Sequence, residues 1–382
     1  MKFAHMGDCH LGGWRQEGLA LLSSQSFKFA IDKCLKEKVD FVLIAGDLFD
    51  SAYPPIETLK EAFGEFRKLK EANIPVFIIA GSHDYSASGK SFIDVLEKAG
   101  LCKNVFVFEE KDEKIYLFPT IYQNVAIYGY PGKKSGLEVD EIARIKLHDS
   151  PGLFKILMLH TAIRDAIGNI PINAVDEKQL PKVDYLAMAH LHIKYNKEGR
   201  VYSGPIFPNN LLELEELNHG SFYIFDNGKI SRIEIKLKEV LTFDFEIKNA
   251  FDAASDILLE FDKHSLEDKI IILKVKGILE TGKASDIDFK KIESYLQSKN
   301  CYSFLKSTTK LHLPDSEIKI ESRDSPNMEA DIIKIFEEKN NSKFNPLIDQ
   351  LIKVLQVEKK EDERVAVFEE RLLSESRRAL GL

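Results

Sequence analysis

The sequence reads as an α/β protein whose sheet is buried between layers of helix, followed by a small α+β unit and a helical end. Three observations lead there. Continuous apolar runs alternate with amphipathic stretches through the first half of the chain. Near residue 240 the pattern changes to short strands and helices in alternation. Beyond about residue 329, apolar residues recur three and four apart amid heavy charge.

The strand candidates of the first half are KFAHM near the start, DFVLIAG (40–46), PVFIIAG (75–81), VAIYGY (125–130), KILMLH (155–160) and VDYLAMAH (183–190). Such runs are apolar on both faces, which suits a sheet covered on both sides. Residues 26–38 and 56–72 carry helical spacing, as does the shorter SFIDVLEKAG after Ser91. After Ser203 the chain becomes more β-like, with SFYIF and KISRIEIKL. FDFEIK, a helix over 251–263, KIIILKVKG, a helix near 285–298 and CYSFLK make the α+β unit. DSEIKIESRDSPNME is polar and contains Pro326, so it reads as a linker. ADIIKIFEEK, NPLIDQLIKVLQ and RVAVFEERLLSESRRAL then give terminal helices. The expected divisions are 1–238, 239–320, 321–328 and 329–382.

Composition narrows the function. The chain has 382 residues, 44% hydrophobic and 30% charged, with a formal net charge of −8. That charge argues against clamping nucleic acid by a basic surface alone, but bound cations would reverse the sign locally. Cys9, Cys34, Cys102 and Cys301 lie far apart with no CxxC pair, which speaks against a disulfide framework or a thiolate zinc site. MKFAHMGDCH has no apolar signal core, and no stretch approaches a membrane span, so a cytoplasmic protein is expected.

Polar residues interrupt the apolar runs at telling places. Asp8 and His10 follow the first strand, Asp47 the second, and Ser82 and His83 the third. His160 ends the KILMLH run, and His190 and His192 follow VDYLAMA. Ligands gather beyond the carboxyl ends of strands in open α/β sheets, so five strands would bring these groups to one edge. Singly, each has a bland reading as a turn aspartate or a hydrogen-bonded histidine; their shared placement at strand ends outweighs it. His5, His148, His219, His264 and His312 lack that placement and read as structural or surface residues. The run Ser82-His83-Asp84 is no hydrolase triad, because neighbours in an extended segment point to opposite faces. Carboxylates and imidazoles suit manganese, iron or zinc. There are more candidate ligands than one tetrahedral ion needs, and two cations roughly 3.5–4 Å apart, sharing a carboxylate, would use them all. The chemistry implied is phosphoester hydrolysis by a dinuclear centre.

The ordered set D-x-H, GD, GSHD, LH and H-x-H resembles the calcineurin-like metallophosphoesterases, with their two-sheet α/β/β/α sandwich. FAHMGDCHLGG, DFVLIAGDLFDSAYPP, IPVFIIAGSHD, ILMLHTAIRD, YLAMAHLHIKY, YSGPIF and GSFYIFD look more narrowly like the Mre-eleven/SbcD branch of DNA double-strand-break repair nucleases. The motifs cover residues 1 to about 235. The resemblance implies one ion on Asp8, His10 and His192, a second on His160 and His190, with Asp47 bridging, and His83 facing the scissile phosphate. It also implies two manganese ions, 3′ to 5′ exonuclease and single-strand or hairpin endonuclease activity on DNA, and a homodimer. The residue 239–320 unit would cap the DNA, and the terminal helices would dock on a Rad-fifty/SbcC-type ATPase.

Two residues depart from the pattern. Ser82 stands where the family has asparagine, and its short hydroxyl is a poorer metal ligand, so the second ion should bind more weakly. Asp50 stands where many members of the branch have histidine and is a second catalytic candidate beside His83. A carboxylate serves as a general acid near neutrality only if burial raises its pKa; otherwise it would order water or a helix start. Two other readings stay open: a small-molecule phosphodiesterase on the same scaffold, and a structural subunit of a repair complex with a weakened site.

Overall fold

In a computed structural model, the described residues are 1–85, 89–168, 170–313, 333–334, 342, 345–357 and 365–380. The chain divides into two compact units. One comprises Met1–Glu246, Phe251–Lys276 and Ile287–Thr309; the other comprises Ile247–Ala250, Gly277–Asp286 and Lys310–Leu382.

The first unit is built on two six-stranded sheets. Strand Lys2–Met6 lies inside the first, parallel to Phe41–Ile44, which is parallel to Val76–Ile78. Its other neighbour, Gly220–Asp226, is antiparallel and forms a hairpin with Lys229–Ile235. In the second sheet Val125–Tyr130, Phe154–His160, Tyr185–Ala189 and Arg200–Tyr202 run parallel, in that order. The expected strands thus form. Phe41–Ile44, Val76–Ile78 and Tyr185–Ala189 stop short of their expected ends, where the chain turns toward the ligand positions, while Lys2–Met6 and Val125–Tyr130 keep their expected bounds.

Alternating side chains divide each strand between two cores. Between the sheets lie Phe3, Leu43, Phe77, Ile127, Ile156, Met158 and Tyr185. Phe3 stacks on Phe41 (ring centroids 5.0 Å) and Phe225 (4.7 Å), and meets Tyr185 of the facing sheet edge-on (5.0 Å). On the outer face of the first sheet, Ala4, Val42, Ile44 and Ile78 pack with helices Glu17–Glu37, Ile56–Glu71 and Phe92–Lys98. The first of these helices begins nine residues before the expected start, because its opening residues, Leu19 and Leu22, face a separate cluster with Ile270 and Ile272. The outer face of the second sheet is covered by short helices and a three-stranded sheet of Phe108–Lys111, Lys114–Leu117 and Ile145–Leu147.

The α+β pattern beyond residue 239 gives a three-stranded sheet of Val240–Glu246, Ile270–Ile278 and Ser303–His312, with helices Ala250–Phe261 and Phe289–Ser298. Within the first unit this sheet shares a core with helix Leu211–Leu217, whose Leu214 packs with Ile270 and Ile272. Lys274 pairs with Glu215 of the same helix at 2.5 Å. Tyr302 Oη donates to the Gly18 carbonyl at 2.9 Å. The expected linker over 321–328 lies outside the described residues, as does most of ADIIKIFEEK. In the second unit, helices Ile348–Leu355 and Val365–Leu380 pack on each other. Among the described residues no helix is long and apolar enough to cross a membrane.

Phe3 is fully buried and joins both sheets through its ring contacts. Phe3→Ala should lower unfolding stability by about 3–5 kcal/mol, read from the denaturant midpoint.

Candidate metal centre

The parallel strands stop where the ligands begin, and the loops that follow are laced together. Asp8 N–H donates to the Gly46 carbonyl, His10 N–H to the Asp47 carbonyl and Leu11 N–H to the Leu48 carbonyl, each at 3.0 Å. Turning this sharply takes backbone that L-residues rarely adopt. Asp8 (φ 48°), His10 (φ 42°), Asp47 (φ 49°) and His190 (φ 94°) all lie at positive φ, and such strain concentrates at functional sites. Gly46, at φ 100°, leaves room for His160, whose Nδ1 would be 2.4 Å from a Cβ there.

Three clusters of ligand atoms result, each with its atoms within 4.8 Å of one another: Asp8, His10 and His192; Asp8, Asp47 and His160; and His10, Asp50 and His83. Asp8, His10, Asp47 and His160 are buried. Asp47 Oδ2 lies 3.2 Å from His160 Nε2 and 3.7 Å from His10 Nε2, so this carboxylate stands between the two sides of the site. Ser82 Oγ donates to Asp47 Oδ2 at 3.4 Å. The His190 ring is 5.1 Å from that of His160, and its backbone N–H donates to both Asp8 oxygens at 2.9 and 3.0 Å. His190 and Ser82 are the ligand candidates outside these three clusters.

Outer partners orient the rings. His160 Nδ1 lies 3.0 Å from the Ala45 carbonyl and must donate to it, which turns Nε2 toward Asp47. That buried Nε2 has no adequately shaped hydrogen bond. His10 Nδ1 faces Asp50 Oδ1 at 3.0 Å, and His192 Nδ1 faces Glu213 Oε1 at 2.9 Å. The inner Nε2 atoms of these two rings then approach within 3.1 Å. Imidazoles whose outer nitrogens are held by carboxylates or carbonyls present lone pairs inward, as metal-ligating histidines do. The donor set therefore fits divalent cations: the inner nitrogens of His10, His160 and His192 crowd together with the carboxylate oxygens of Asp8 and Asp47.

The electrostatics agree. Desolvation opposes charge on His160, yet Asp47 and Asp8 outweigh it and raise its pKa to about 9. Desolvation likewise opposes charge on His192, and Asp8 with Glu213 raises it to about 9. Burial works against ionisation of Asp47, but His160 and His10 hold its carboxyl below the usual range. The hydrogen bond from His10 leads in holding Asp50 below the usual carboxylate range, with Asn209 adding to it. A carboxyl shifted that way is ionised near neutrality and is no proton donor. His5 is buried in the inter-sheet core beside Tyr185 (3.1 Å), where desolvation lowers its pKa to about 3.

His83 occupies the open side. Its backbone N–H donates to Asp47 Oδ1 at 2.8 Å, its Nδ1 donates to the Asp50 carbonyl at 2.9 Å, and its side chain is 46% exposed. Asp84 is buried and accepts from the backbone N–H groups of Gly81 (2.8 Å), Phe49 (3.1 Å) and Leu48 (3.3 Å), so it braces both loops. Desolvation and then Asp47 raise its pKa to about 6.

Sequence reasoning missed Asn209 and Glu213. Asn210 caps helix Leu211–Leu217 through Glu213 N–H, while Glu213 Oε2 accepts from Asn209 N–H at 2.8 Å. An Asn followed three residues later by Glu at a helix start is a capping signature. It was legible in NNLLELEEL, but nothing local tied it to His192.

Comparison with known proteins accords with this geometry. The model of the calcineurin-like phosphoesterase family matches residues 1–194, half of the chain, and the chain belongs to that family. More narrowly, the chain is similar to proteins named DNA double-strand break repair protein Mre11. That of Archaeoglobus fulgidus is 27% identical over 72% of this chain and 68% of its own length. That of Methanocaldococcus jannaschii is 29% identical over 66% and 72%. An uncharacterized metallophosphoesterase, YhaO of Bacillus subtilis, is 30% identical over 54% and 50%.

Asp84→Ala would orphan three buried N–H groups at about 1–3 kcal/mol apiece. A marked fall in the unfolding midpoint is expected, larger than for removal of an exposed carboxylate such as Glu57.

Proposed function

We propose that the chain is a manganese-dependent DNA nuclease that processes double-strand ends, as a 3′ to 5′ exonuclease and as an endonuclease on single strands and hairpins. The observation that carries this reading is the convergence of Asp8, His10, Asp47, His160 and His192, with inward nitrogens held in place by outer acceptors. The names of the archaeal relatives supply the substrate class.

In this reading Asp8, His10 and His192 would hold one divalent cation and His160 and His190 the other, with Asp47 shared and Ser82 a weaker, substitute ligand on the second side. Cations held there would supply an activated water and neutralise charge on the phosphoryl group. The chain's own residues do the rest. His83 spends Nδ1 on the Asp50 carbonyl, so its exposed Nε2 is free to hold a proton for the leaving oxygen or to steady the scissile phosphate. Asp47 and Asp84 fix the loop that aims it.

By the same reading residues 1–238 form the nuclease domain and 239–320 a cap that orients DNA. Residues 321–328 are a linker, and 329–382 are the helical segment that docks on a Rad-fifty/SbcC-type ATPase. Amphipathic helices such as Ile348–Leu355 and Val365–Leu380 suit a groove or coiled-coil partner. The working form is a homodimer.

With manganese present, the purified protein should degrade linear DNA and leave cyclic nucleotides intact; the reverse outcome points to a small-molecule phosphodiesterase. His83→Ala should lose about 10²–10⁴-fold in turnover while still binding DNA. Equal nuclease background in wild type and variant would remove the catalytic assignment and favour a structural subunit. Ser82→Asn, which offers a longer amide oxygen, should tighten the weaker manganese site in a calorimetric titration.

A further inference from the structure

We infer that Asp50 and Glu213, joined through Asn209, are a matched pair of positioning carboxylates that set how tightly the Asp8–His10–His192 cluster holds its cation. The inference rests on reading that cluster as a metal site and deepens it.

The two histidines are treated alike. His10 Nδ1 meets Asp50 Oδ1 at 3.0 Å and His192 Nδ1 meets Glu213 Oε1 at 2.9 Å. A neutral imidazole has one N–H, and a facing carboxylate claims it. Both rings are left with Nε2 turned inward, and those two atoms are 3.1 Å apart. Nitrogens that close need a positive charge between them, whether a shared proton or a metal cation. Asn209 ties the outer carboxylates together: its backbone N–H donates to Glu213 Oε2 at 2.8 Å, and its Nδ2 donates to Asp50 Oδ1 at 3.0 Å. Asp50 Oδ1 thus accepts from two N–H groups, the work of an orienting acceptor rather than of a proton donor to substrate.

Neither carboxylate is core material. Asp50 is 30% exposed and Glu213 18% exposed at the side chain, so their replacement need not unfold the protein. Each is anchored by its own segment: Asp50 N–H donates to the Leu11 carbonyl at 3.2 Å, and Glu213 sits in the capped first turn of helix Leu211–Leu217. Asp50 therefore has a defined task in this chain.

The test is a calorimetric manganese titration of the full chain, with circular dichroism and thermal unfolding as controls for folding. The wild type should show two classes of site. Asp50→Ala and Glu213→Ala should each weaken one and the same class by about 10–100-fold, the usual loss when an outer partner of a ligating histidine is removed. Asp50→Asn and Glu213→Gln keep an acceptor oxygen but lose its charge, and should fall between wild type and the alanine variants. That gradation follows hydrogen-bond strength, which a merely structural role would not reproduce. Should an alanine variant fail to fold, the amide variant of the same residue carries the test alone. Folded variants that bind both classes as the wild type does, or that weaken both equally, overturn the inference while leaving the metal centre intact. A wild type that takes up no manganese overturns the metal reading itself.

Discussion

Asp47 lies buried where loops from three strands meet, with one oxygen taken by the His83 N–H and the other facing His160, His10 and Ser82. A charged group in such a place is stable only among partners of opposite sign or donors. Much of the surrounding architecture answers that need. The parallel strands deliver rings to it from both sheets, Gly46 clears space for His160, and Asp84 pins the backbone on either side. Remove the inter-sheet core centred on Phe3 and Met158, and the two halves of the site have no fixed separation.

Much of this was legible in the sequence, for a physical reason. Buried parallel strands must be continuously apolar, so a polar residue at their carboxyl ends stands out against the run. Asp8, Asp47, His160 and His190 were visible in that way. What failed to show were partners that depend on packing between distant segments. Glu213 looks like an ordinary capping glutamate, and only the fold sets it against His192. The start of helix Glu17–Glu37 was hidden likewise, since Leu19 and Leu22 are apolar for the sake of Ile270 and Ile272, some 250 positions away.

Ser82 and Asp50, the two residues expected to depart from the family pattern, meet different partners. Ser82 is directed at Asp47 through a short hydroxyl. Asp50 Oδ1 faces His10 Nδ1 and accepts from Asn209 Nδ2, which suits an orienting acceptor.

Helix Leu211–Leu217 is a seven-residue rod with two attachments. Glu213 grips a ligand ring, while Leu214 and Glu215 hold the sheet that contains Ile270, Ile272 and Lys274. So short an element has little give between its ends. The seating of that sheet and the aim of His192 are in consequence mechanically geared together, and whatever leans on one is registered by the other.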